Sequence, residues 1–335
     1  MLQRVTLSCG FRVPAESPST SLIFDLGDTE ITQVATGPAA TYPPIHLSNN
    51  IESVLSTVRE ASLVITAIKN IIDYRELIAV LVWKSITVRY KQTYLGIGWA
   101  ILKPLALMLV FTLIRSIVGI PSGNVPYPIL AFAALMPWIF FQESASDGVL
   151  SVVGNAALVR KIYFPREVFP ITSMVTKLVE LGINSLILAA LMWWFSVVPS
   201  AQVFWAPVII LYTMLAALTI ALAGAAINVY YRDVGAALPV LLSLLMYASP
   251  VIYPLDLVKT KLLVEQAAGR WSDVLYTLYT LNPLAGIIDS FQNVVLRGLP
   301  PDFVALMPGA ILVAIALPIS YLFFKRAESH FADVI

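Results

Sequence analysis

The chain has 335 residues, 59% of them hydrophobic and 12% charged, with a formal net charge of +1 and a mean hydropathy of +0.83. A soluble domain is usually about 25% charged, so this composition excludes a soluble globular protein and implies an integral membrane protein, while the few scattered basic residues exclude a nucleic-acid surface. One cysteine, Cys9, and two histidines, His46 and His330, exclude an intrachain disulfide, a Cys-based metal cluster and a His proton relay, and no metal site is expected.

No sustained apolar core precedes the first Pro and Ser residues, so no secretory signal is expected. Residues 1–50 are rich in Pro, Ser, Thr and Gly and read as a flexible cytoplasmic extension, in which "SLIFDLGDTEITQVAT" could form a strand pair. Residues 51–93 turn helical. "YRELIAVLVWKSITVRYKQT" places Leu77, Val80, Leu81, Lys84 and Val88 at spacings of three and four. That is the pattern of an amphipathic helix on the membrane surface, its basic groups towards headgroups.

A span needs roughly 20 apolar residues. Six candidates follow: Gly96–Val118, Tyr127–Val149, Val168–Val197, Val203–Tyr230, Ala236–Tyr253 and Phe303–Phe324. The fold class is therefore all-α. Arg160, Lys161 and Arg166 lie in the second-to-third connection, Arg232 in the fourth-to-fifth, and Lys325 and Arg326 at the end; "VGIPSGNVPYP" and "VVPSAQ" carry no charge. Positive residues stay inside, so both termini are expected in the cytoplasm. Between the fifth and sixth spans "LNPLAGIIDSFQNVVL" is apolar but too short to span. Asn282 can cap a helix and Pro283 suits its first turn. The stretch reads as an external re-entrant helix.

No G-x-x-x-x-G-K-[ST] occurs, so the chain carries no P-loop. Among the charges inside spans are Lys103, Glu143, Asp147, Lys177 and Glu180. They could form an ion-coupling or substrate site, or long side chains could snorkel to the interface and pair there. All five lie nearer the cytoplasmic ends, which favours the second. Ala217, Ala221 and Ala225 put a small residue every four along the fourth span, for packing within a subunit or between two. Trp193, Trp194 and Trp205 suit interface anchors. Phe111, Trp138, Tyr247 and Tyr253 could offer stacking surfaces to sugar rings in a channel, with packing as the plainer role for each. "NAALVRKIYFPREVFP" is apolar, basic and cytoplasmic, with Leu158, Ile162, Tyr163 and Phe164 expected to be exposed as a docking knob.

These stretches give the chain a likeness. "LVWKSITVRYKQTYLGIGWAILKP", "GNAALVRKIYFPREVFP", "ASPVIYP", "LNPLAGIID" and "HFADVI" fall in order over residues 73–335. In them the chain resembles the membrane subunit of ABC-2 type exporters, in the branch that exports O-antigen and teichoic acid. The resemblance implies a permease that is not itself an enzyme: a homodimer in the inner membrane with two copies of a separate ATPase, which binds ATP and Mg2+. No cofactor is expected in this chain. Residues 94–335 would be the six-span domain. Leu158, Arg160, Lys161, Tyr163, Phe164, Pro165 and Arg166 would hold the coupling helix that rests on the ATPase. Arg89, Tyr90, Lys91 and Gln92 would hold lipid headgroups or the pyrophosphate of a lipid-linked glycan. The first 50 to 70 residues depart from the family pattern. An exporter of drugs or lipids with the same architecture, or a membrane-embedded transferase acting on lipid-linked sugars, are the alternatives; the transferase needs ionisable residues converging at a membrane face.

Overall fold

The computed structural model describes residues 22–25, 30–33, 69–70, 72–91, 93–119, 125–162, 164–267 and 272–334. The chain divides into two units, residues 1–66 and 67–335. In the first, β1 (Leu22–Asp25) pairs antiparallel with β2 (Glu30–Gln33), Leu22 opposite Gln33. The rest of the 1–50 extension and residues 51–68 of the interface region lie outside the described residues.

The second unit is helical. α1 (Arg75–Tyr90) is followed by α2 (Gly98–Val118), α3 (Tyr127–Gly154), the short α4 (Ala156–Lys161) and α5 (Val168–Trp194). A 3-10 turn (Ala201–Trp205) leads into α6 (Ala206–Tyr230), then α7 (Asp233–Ala248), α8 (Leu255–Ala267) and α9 (Ser272–Thr280). α10 (Pro283–Gln292) runs into a π turn (Asn293–Arg297), and α11 (Phe303–Glu328) and α12 (Phe331–Val334) end the chain. Among the described residues, five helices are long and apolar enough to cross a membrane: α2, α3, α5, α6 with its 3-10 turn, and α11. The protein is a multi-pass membrane protein.

The expected fifth span, Ala236–Tyr253, falls on a shorter helix than the run of apolar residues suggests. Its helix α7 has 16 residues and ends at Ala248. At 1.5 Å per residue that is about 24 Å, short of the roughly 30 Å hydrocarbon core. Pro250 disfavours helical backbone at the residue before it, and Ser249 is extended. Ser249, Pro250 and Val251 are buried, so the chain leaves the helix inside the protein.

α3 is the centre of the bundle. Most of its residues are buried, and it packs against α2, α5, α6, α7 and α10. Ala217, Ala221 and Ala225 of α6 are fully buried. A Cβ on Gly148 of α3 would come within 2.5 Å of the Ala221 Cβ. The small-residue stripe therefore serves close approach within one subunit, in the usual manner of membrane helices.

α10 turns back at Asn282. The Asn282 side chain accepts from Leu284 N at 3.2 Å and donates to Ser249 Oγ at 2.8 Å, tying the turn to the end of α7. A Cβ on Gly286 would lie 2.4 Å from the Ala305 carbonyl oxygen, and one on Gly309 would lie 2.6 Å from Pro283 Cα. Asp302 N donates to Ser290 Oγ at 3.1 Å. Deep positions of α11 thus meet the start of α10, and the start of α11 meets its end. Gly309 lies seven residues past Asp302, about 10 Å along the axis. Asn282 and Pro283 thus form the tip of the turn between α9 and α10, which lies against α11 at the level of Gly309.

Candidate functional site

Three lines of the chain converge where α1, α2, α3 and α5 meet, at the end of the bundle that carries the basic connections. Glu143 and Asp147 sit one turn apart on α3, and Lys177 and Glu180 three apart on α5, so each pair shares a helix face. Arg89, near the end of α1, reaches Asp147 at 2.5 Å, Glu180 at 3.3 Å and Glu143 at 4.0 Å. Lys177 reaches Glu143 at 2.5 Å, Glu180 at 3.1 Å and Asp147 at 3.5 Å. Lys103 of α2 pairs with Glu143. Three cations face three carboxylates, and every carboxylate has at least two cations within reach. Burying an isolated ammonium is costly; the Lys177 side chain is 2% exposed and tolerates this because three carboxylates surround it.

The five intramembrane charges of the sequence reading are therefore one network, and Arg89 is its sixth member. Long side chains do pair, but Glu143 and Lys177 lie about three turns from their helix ends and bridge four helices. Beside the network is a cavity of about 250 Å3, with Trp99 and Phe140 on its apolar walls. The network carries no surplus charge, so an anion entering it must displace a carboxylate. Chemically it is a junction: it fixes α1 to α2, α3 and α5. Burial, with Glu180 close by, raises the Tyr90 phenol above its ordinary range. Lys91 is exposed, and Gln92 lies outside the described residues.

The segment between α3 and α5 forms a second feature of the same end. Asn155 donates from its side chain to Ser151 O at 2.8 Å and closes α3. α4 buries Val159 and exposes Arg160 and Lys161, and Ile162 beyond it is exposed. Phe164 is 6% exposed and packs edge-on against Phe169 at 5.3 Å. The expected docking knob is corrected accordingly. Phe164 points into the protein and Leu158 is half-buried, because a segment this short holds its shape only by anchoring apolar side chains in the core. Pro165 and Arg166 are half-buried, and Tyr163 lies outside the described residues. Among the described residues the outward face includes Arg160, Lys161 and Ile162.

Residues 76–296 match the family described as ABC-2 type transporter. The chain belongs to this family. It is 29% identical over 272 residues to the O-antigen export system permease protein RfbA of Myxococcus xanthus, a match that covers 81% of this chain and 100% of the relative. It is 25% identical over 267 residues to a protein of the same name from Klebsiella pneumoniae, covering 78% of this chain and 95% of the relative.

The aromatic residues of this ABC-2 chain divide. Phe111 is 3% exposed and Trp138 fully buried, its indole N–H donating to Gln142 Oε1 at 3.0 Å. Both belong to the main core, which corrects their expected place on a channel wall: Trp138 fills space within the mostly buried α3, and Phe111 is a buried side chain of the otherwise largely exposed α2, turned towards that core. Tyr247 is exposed on α7. Tyr253 is half-buried, and its hydroxyl lies 3.2 Å from the Tyr247 carbonyl and 3.4 Å from the Tyr279 hydroxyl. Near the hairpin, Asp289 is 3% exposed. Its Oδ2 accepts from Asn293 Nδ2 at 2.8 Å, while its Oδ1 has no hydrogen bond and stands 3.8 Å from Arg297 Nη1. Asp289 lies inside the stretch that reads as apolar in the sequence. Its spacing of four from Asn293 and eight from Arg297 was the available signal. Among the described residues no group of His, Cys, Asp and Glu is placed to hold a metal ion.

Proposed function

We propose that the chain is the membrane subunit of an ATP-driven exporter that moves a lipid-linked polysaccharide of the O-antigen kind across the inner membrane. The observation that carries this reading is the match to two export permeases over almost their whole lengths, in a chain with no P-loop of its own. Two copies would enclose the channel and two ATPase subunits would bind ATP and Mg2+. The basic end would face the cytoplasm with both termini. Arg160, Lys161 and Ile162 would rest on the ATPase. Closure of the two ATPases would push that segment, and the six-charge junction would pass the displacement on to α1, α2, α3 and α5, its shared partners keeping them joined as they shift. Arg89 would then act as a strut rather than as a headgroup or pyrophosphate ligand, because its guanidinium is already engaged. Tyr247 and Tyr253 would remain the aromatic surface offered to a sliding glycan, held weakly enough at each step to move on. The convergence of ionisable groups that a transferase requires does occur, but with every carboxylate paired to cations it offers no unengaged general base.

Deleting the chain in a host that makes the glycan tests this reading. Lipid-linked polymer should accumulate on the cytoplasmic side and surface polymer should vanish, with synthesis intact. Surface glycan that persists while a drug or a phospholipid loses transport would move the assignment to the alternative exporter.

A further inference from the structure

The last span continues into a structure that touches the α3–α5 segment. α11 runs to Glu328, and after a turn at Ser329 and His330 the chain forms α12. Phe331 is fully buried, edge-on to Phe324 with ring centroids 5.4 Å apart. The Arg166 guanidinium lies 5.8 Å over the Phe331 ring. Arg166 N donates to Glu328 Oε1 at 2.8 Å, and its guanidinium donates to the Glu328 carbonyl. Lys325 joins Glu328 at 2.8 Å to Glu167 at 2.5 Å. Glu167 is 1% exposed and also accepts from Asn70 Nδ2 at 3.1 Å. One small core holds Ile78 and Leu81 of α1, Val159 and Phe164 of the segment, and Phe324 and Phe331.

We infer that the C-terminal stretch Glu328–Val334 is a positioning element for the α3–α5 segment, holding it from behind so that Arg160, Lys161 and Ile162 meet the ATPase in one fixed pose. α4 has six residues, too few to be stable alone. Its outward face can transmit a push only if its inner side is stiff. The stiffness comes from Val159 and Phe164 in the core, and at the far end of the segment from Arg166, clamped by Glu328 and the Phe331 ring. Cation–π and charge-assisted contacts of this kind are directional, so they fix an orientation as well as a distance. The connection spans 162 residues of sequence between Arg166 and Glu328.

This inference rests on the reading that the segment docks on the ATPase, and the experiment separates the two. The complete complex is made with Cys9→Ser and Ile162→Cys. Crosslinking of that cysteine to the ATPase subunit, its labelling rate by a water-soluble maleimide, and the ATP hydrolysed per glycan exported are measured. Phe331→Ala should lower the crosslink several-fold, raise the labelling rate several-fold and raise the ATP cost of export, while hydrolysis itself continues. Phe331→Leu, which keeps apolar volume, should recover much of the loss. Unchanged values of all three in Phe331→Ala overturn the inference. If Phe331→Ala does not accumulate in the membrane, Glu328→Gln decides by the same readouts, since it leaves the core filled and weakens the side-chain contacts of Glu328 to Arg166 N and Lys325; no change there overturns it as well. No crosslink even in the parent sinks the docking reading, and the maleimide rates still report whether the C-terminus holds the segment.

Discussion

At the basic end, α1, α2, α3 and α5 are joined by six charged side chains, with Lys177 alone touching three carboxylates. At the opposite end, α10 and α11 are joined by backbone against backbone, where Gly286 meets Ala305 and Gly309 meets Pro283. The first joint has alternatives built in: a helix can shift by an ångström and each cation still has a carboxylate to face. The second has none, because no rotamer exists to absorb a shift. The contrast predicts how each joint fails.

The largest effect should come from the backbone joint. Gly286→Val places a branched side chain where even a Cβ would lie 2.4 Å from a carbonyl oxygen. Overpacking of a tight site usually costs about 1–3 kcal/mol, and more here because the obstacle is main chain on both sides. The variant should yield little folded protein, read as lost monodispersity in detergent. Normal yield and unchanged melting would mean that the hairpin has slack, and the contrast between the two ends would collapse.

Next comes Lys177→Met. It removes the ammonium that three acids share, leaving Arg89 and Lys103 to face all of them. Removing one member of a buried charge group typically costs about 3–5 kcal/mol. Melting temperature should fall clearly, and Lys177→Met combined with Glu180→Gln should recover part of the loss. A double variant no better than the single one would show that Glu180 is not held by Lys177.

The two joints were not equally legible in the sequence. Most of the spans, the helix start at Asn282-Pro283 and the family match were readable because apolar run length and a capping residue are local signals. The charge junction was half readable: the spacings Glu143–Asp147 and Lys177–Glu180 place each pair on one face, yet no single-helix pattern says that the two faces meet, or that Arg89 joins them. Phe164 and Trp138 were misplaced for the same reason. An apolar side chain in a membrane protein can face lipid, a partner or the core, and hydropathy is equal for all three. The end of α7 at Ala248 was signalled by Pro250, but the apolar run carried on through Val251 and Ile252 and masked it.

The third prediction concerns Asp289, a buried carboxyl near the turn at Asn282. Burial pushes its pKa up to about 6, with Asp256 and Asp302 adding to the rise and Arg297 and Asn293 opposing it. A carboxyl raised in the folded state above its unfolded value of about 4 binds a proton on folding between those two pH values. Stability therefore falls as pH rises from about 4 to about 6, and the charged form's cost is fully present above that. Two units correspond to at most about 3 kcal/mol at 1.36 kcal/mol per unit. Asp289→Asn should flatten the pH dependence in that window and leave the protein as stable or more stable at pH 7.5, by thermal melts in detergent. A loss of stability at pH 7.5 would mean that the pairing with Arg297 outweighs desolvation.

The smallest effect should come from Lys103→Gln, and it tests the redundancy of the charge junction directly. Lys103 pairs with Glu143, but its side chain is 52% exposed. Glu143 keeps Lys177 at 2.5 Å and Arg89 at 4.0 Å whatever stands at position 103. Exposed pairs are generally worth about 0–1 kcal/mol, and the remaining cations can take up the slack. Lys103→Gln should thus shift the melting temperature by a degree or two at most, while Arg89→Gln, which strips three carboxylates of a partner at once, should shift it several times further. If the two variants were equally damaging, the junction would be a set of independent pairs without shared partners. The mobility argued for the basic end would then lose its physical basis, because a helix could not slide without breaking a bond that nothing else replaces.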